Sequence, residues 1–232
     1  MCFSASVSYS AAAVLVSTGV YAFHQAGQRQ PSYRTWALIP VFFGLQQAFE
    51  GLVWQELDAG DAHAVLPFAL GFHFFSHFLW LWWIPLCCYL VEPVQAGKPG
   101  KLRKRVMGGC AIFGAFAGTL VYSVMLFHSE WMSVTVREHS ILYSFSVPYR
   151  SSIHLPITPA ALYALTTLLP VLISSHRPIK IFGVLLVLSM LLASEAYSYA
   201  YVSVWCFFAA VLSLYLAYMI RHLVAESTSS SA

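Results

Sequence analysis

Apolar residues dominate seven stretches of the chain, at roughly 5–24, 36–56, 64–91, 106–127, 159–175, 180–200 and 202–221. Most are about twenty residues long, which is what an α-helix needs to cross a ~30 Å hydrocarbon core. A membrane barrel would instead need roughly ten-residue segments alternating in polarity. The pattern therefore predicts an all-α integral membrane bundle of seven transmembrane helices. It forms a single domain over residues 1–224, followed by a serine-rich disordered cytoplasmic tail, 225–232. The first stretch is rich in Ser and Ala, which suits close helix packing. The fifth carries Pro170, tolerable where neighbours satisfy the carbonyl it frees. The long connection 128–158 has a different rhythm: Ser133 to Val136 and Ile141 to Val147 alternate around Arg137-Glu138-His139. Alternation with β-branching predicts a β-hairpin there.

Composition agrees with a lipid solvent. The 232 residues are 59% hydrophobic and 9% charged, with a mean hydropathy of +0.70, against roughly 25% charged in an average soluble domain. A net charge of +3 is too small and too scattered for a nucleic-acid partner. The basic residues serve better as topology signals. If connections alternate between the two sides, one side collects Arg29, Arg34, Lys98, Lys101, Arg103, Lys104, Arg105, Arg177, Lys180 and Arg221, and the other only Arg137 and Arg150. Positive loops resist translocation, so the amino terminus is expected outside and the carboxyl terminus inside a cell membrane. The start of the chain lacks the basic n-region of a signal peptide, so its first apolar segment is expected to stay. The five cysteines show no metal-finger or disulfide spacing.

Ionisable groups inside a span cost roughly 2.5–3.5 kcal/mol at its centre, so each is a candidate for function. In the second span Gln46, Gln47, Glu50 and Trp54 share a helical face, and in the third His73, His77 and Trp80 do the same, with Ser76 beside them. Glu195 lies near the end of the sixth. Counting residues along antiparallel spans brings Glu50, His73 and Glu195 to similar depths in the outer half, with His77 one turn deeper. An outward-facing polar pocket is expected. Two imidazoles at i and i+4 plus a carboxylate form a donor set for a divalent metal such as zinc, leaving a second carboxylate to take a proton from bound water. On this first reading His73 and His77 are metal ligands, Glu50 and Glu195 catalytic, and Gln46, Gln47, Trp54 and Trp80 contact a lipid or other amphiphilic substrate. A second reading is a transporter or sensor in which the same groups bind a cation, proton or small solute. A third makes them interhelical glue. His128, His139 and His154 lie in or beside the long outer connection, where they could add ligands.

Met1-Cys2-Phe3-Ser4-Ala5, the run Gly44-Leu45-Gln46-Gln47 through Glu50-Gly51 to Val53-Trp54, and Val204-Trp205-Cys206-Phe207 together resemble a bacterial family of multi-pass membrane proteins of unknown function. The resemblance implies a bacterial inner membrane and no particular activity. Seven spans with His, Glu and Ser groups also look like the alkaline ceramidase and adiponectin-receptor superfamily of zinc-dependent intramembrane hydrolases. Those proteins carry HxxxH late in the chain, whereas here it lies in the third span.

Overall fold

A computed structural model describes residues 4–93, 98–146 and 158–229. The helices are α1 (Ala5–Arg29), α2 (Arg34–Ala59), α3 (Ala62–His73), α4 (Trp80–Val91), α5 (Lys98–Phe127), α6 (Pro159–Ile173), α7 (Arg177–Ala196) and α8 (Tyr201–Ser229). A π-helical turn, Phe74–Leu79, joins α3 to α4, so these two form one rod and the described chain has seven rods. Six are long and apolar enough to cross a membrane, and the protein is a multi-pass membrane protein. The seventh, α6, has 15 residues. Helix α8 continues to Ser229, past residue 225, where the composition predicts disorder. Ala225 and Glu226 are good helix formers and extend the rod beyond its apolar span.

Connections alternate between two ends of the bundle. At one end, Tyr33 of the α1–α2 link, Glu92 after α4, Arg103 of α5 and Ser174 to His176 of the α6–α7 link share one hydrogen-bond network. At the other end lies a two-stranded antiparallel sheet, β1 (Met132–Arg137) with β2 (Ser140–Phe145), which meets the α7–α8 link through the Tyr199 hydroxyl and Glu138. Arg137 pairs with Ser140, leaving Glu138 and His139 as a two-residue turn with φ of 48° and 58°. Positive φ at both central residues is the mirror-image turn that matches strand twist. The sheet is anchored by Ile141, fully buried against Val53, Trp54, Val65 and Ala69 of α2 and α3.

Small residues let the rods approach. Gly44 and Gly51 of α2 lie against Val16 and Tyr9 of α1, so a side chain at either position would collide. Helix α5 meets α4 in a more specific way. Pro85 has no N–H, so the Leu81 carbonyl one turn earlier loses its helical donor. Gly114 of α5 presses on that same carbonyl, close enough that a Cβ could not fit. The proline-freed oxygen thus faces the neighbouring backbone instead of lipid.

Candidate functional site

Three polar residues of α2, Gln46, Gln47 and Glu50, are fully buried. Glu50 accepts from Ser203 Oγ of α8 at 2.6 Å and from Gln47 Nε2 at 3.0 Å. Gln46 Oε1 accepts from Trp80 Nε1 at 2.9 Å, and the Trp80 ring stacks on Phe43 at 4.1 Å. Helices α2, α4 and α8 are thus joined by polar links. Two amide atoms are left over: among the described residues, neither Gln46 Nε2 nor Gln47 Oε1 has a hydrogen-bond partner. Trp54 turns instead to the apolar cluster around Ile141, its Nε1 also without a partner among the described residues.

The histidines form a second group. His73 Nδ1 and His77 Nδ1 lie 3.0 Å apart, and Ser76 Oγ is 3.2 Å from the first and 2.9 Å from the second. The π turn begins directly after His73 and contains Ser76 and His77. Such wide turns are frequent at functional sites. Two neutral imidazoles facing each other through Nδ1 must be opposite tautomers, one donating and one accepting. Ser76, within reach of both, gives the pair a hydroxyl through which that proton could pass. Tyr143 of β2 covers the group, stacked on Phe72 at 5.0 Å and edge-on to His73 at 4.7 Å. The hairpin is therefore part of the site's wall.

Glu195 is not. It is exposed, in the last turn of α7. The buried stripe of α7 is Ile179, Phe182, Leu186, Ser189 and Ala193, and Glu195 lies two residues on, roughly 200° around the helix. A count of residues along a span does not give the face that a residue takes. Among the described residues no three His, Cys, Asp or Glu side chains are grouped to hold a metal ion. The set Glu50, His73, His77 and Glu195 is thus not assembled, and the geometry does not fit the zinc site expected from spacing. His128 pairs with Glu130 at 3.2 Å on an exposed turn, His139 occupies the hairpin turn, and His154 lies outside the described residues.

A slot opens beside the α2 links. It is lined by Phe43, Trp80, Ile84, Tyr163, Thr167, Leu168, Phe182, Leu186, Trp205, Cys206 and Ala209, with a volume of about 40 Å³. The Gln46 amide lies next to the Cys206 thiol at its edge. Trp205, stacked on Tyr201 at 5.6 Å, presents a buried Nε1 with no partner among the described residues. Nothing local in the sequence distinguishes a tryptophan on lipid from one on a cavity, so Trp205 is not marked by its own neighbours.

The network at the opposite end also escaped the sequence. Glu92 is 1% exposed and accepts from Arg103 Nε at 3.0 Å, Ser174 Oγ at 3.1 Å and Ser175 N–H at 3.0 Å. Lys104 donates to its carbonyl at 2.9 Å. His176 Nε2 faces the Val91 carbonyl at 3.0 Å, an atom that can only accept, so Nε2 carries the proton. The Tyr33 hydroxyl lies 3.1 Å from Nδ1 on the other side of the ring. Burial alone would push the Glu92 carboxyl up, but the Ser175 and Ser174 hydrogen bonds and Arg103 together hold it below its ordinary value.

No curated protein and no solved structure matches the chain. Across residues 1–231 it matches the Family of unknown function (DUF6629), and it belongs to that family.

Proposed function

We propose that the protein is a small-solute binder of the membrane, a transporter or sensor, whose site is the aromatic slot between α2, α4, α6, α7 and α8. One observation carries this reading: Trp205, which lines the slot, has a buried Nε1 without an acceptor among the described residues. A buried unsatisfied donor costs about 1–3 kcal/mol, which a ligand carrying an acceptor recovers. Apolar walls with a few converging polar groups are the usual composition of small-molecule sites. The solute is mostly apolar, with one carbonyl-like oxygen. The Glu50–Ser203 and Trp80–Gln46 links hold the slot's polar edge in place, and the His73–Ser76–His77 group lies on the same rod as Trp80.

The uneven distribution of basic residues supports an outside amino terminus, with the hairpin end outward and the Glu92 end inward. A metal-assisted hydrolase is set aside, because its four residues are not gathered.

The slot's volume of about 40 Å³ limits the solute to a few heavy atoms. The test is thermal stability of the purified protein with acetone and with isobutene, matched in shape but lacking the acceptor. Acetone should raise the melting temperature more, and Trp205→Phe should remove the difference. Equal effects of the two solutes on the unaltered protein would leave the polar groups as interhelical glue.

A further inference from the structure

Helix α5 carries a second groove, away from the slot. It is bounded by Tyr89 of α4 and by Lys101, Lys104 and Arg105 at its charged end, and by Gly108, Gly109 and Ile112 further along, with a volume of about 660 Å³. Lys101, Lys104, Arg105, Gly108 and Ile112 recur at three- and four-residue spacing, so they share one helical face. That face runs roughly 16 Å from cations to apolar surface.

Each wall has a physical cause. Lys104 is held in place by the Glu92 carbonyl at 2.9 Å and sits over the Tyr89 ring at 4.9 Å. Lys101 and Arg105 are exposed and have no acidic partner among the described residues. The floor is open because two glycines lie there: a Cβ on Gly108 would only touch Tyr89, and one on Gly109 would meet nothing within 4 Å. Beyond it the same side of α5 is apolar and uncovered, with Ile112 76% and Phe116 64% exposed. Cations at one end and an apolar channel continuous with the lipid-facing surface match a molecule with a negative head and a hydrocarbon tail.

We propose that this groove binds one anionic phospholipid, its phosphate against Lys101, Lys104 and Arg105 and an acyl chain along Gly108, Gly109 and Ile112. Free phosphate would use only the charged end and leave the channel open. The groove shares no lining residue with the slot, so its occupancy is independent of the small-solute reading.

The experiment is native mass spectrometry of the full chain, released from micelles doped with phosphatidylglycerol or with phosphatidylcholine of the same acyl chains. Expected are a retained phosphatidylglycerol at several-fold higher occupancy than phosphatidylcholine, loss of that preference in the double variant Lys101→Gln, Arg105→Gln, and its return in Lys101→Arg, Arg105→Lys. Gly109→Leu keeps every charge but fills the channel, and should lower retention of both lipids. Circular dichroism and melting check that each variant is folded. Equal retention of the two lipids, an unchanged preference in the Gln variant, full retention in Gly109→Leu, or displacement by millimolar inorganic phosphate would each overturn the proposal.

Discussion

Glu92 and Ser174, 82 positions apart in sequence, meet at 3.1 Å and join the end of α4 to the end of α6. Glu92→Ala would leave the Ser174 hydroxyl, the Ser175 N–H and Arg103 facing a buried gap. The expected loss is about 3 kcal/mol, read as a lower melting temperature in detergent. Glu92→Gln keeps the shape and should cost less.

The same carboxylate predicts an acid sensitivity. Its pKa is lower folded than unfolded, so its stabilisation is complete above the unfolded value and is lost as pH falls through the folded one. Melting temperature should be flat above about pH 5 and fall below it. Glu92→Gln should remove part of that slope, and an identical slope in both proteins would refute the assignment.

Glu50 and Ser203 test the buried links. A double-mutant cycle of Glu50→Gln and Ser203→Ala should give a coupling of about 1–3 kcal/mol, because the 2.6 Å bond is closed off from water. Additive effects would mean the two act separately.

Two glycines on α5 should respond in opposite ways. Gly114→Ala drives a methyl group into the Leu81 carbonyl and should destabilise by about 1–3 kcal/mol or more. Gly109→Ala meets open space and should be neutral or mildly stabilising, by up to about 1 kcal/mol. Melting curves of the two variants decide.

Orientation is open to chemical labelling. In a background without native cysteines, Asp58→Cys, on the exposed end of α2, should react with an impermeant thiol reagent added outside intact cells. Pro99→Cys, exposed in the first turn of α5, should not. The reverse pattern would invert the reading of the basic residues.

The rods were legible because each is announced by its own run of apolar residues, and the hairpin strands by alternation on both sides of Glu138 and His139. The face a residue takes was not. Glu195 lies off the stripe ending at Ala193, and that stripe depends on which neighbours α7 packs against. Ser203, the partner of Glu50, lies 153 residues away, and no local pattern marks it. Nothing local marks Glu92, the residue before Pro93. Only the return of the chain at Ser174 and Ser175 shows that it is enclosed.

The contact between Gly114 and the Leu81 carbonyl also bears on how the protein is made. Until α5 arrives, α4 carries an oxygen that neither its own helix nor hydrocarbon can satisfy. As a lone span it is therefore poorly suited to wait in the bilayer. The rod ending in α4 and the following α5 are best delivered to the membrane together, as a helical hairpin released in one step. A ribosome stalled between the two should leave the first rod exposed to quality-control proteolysis.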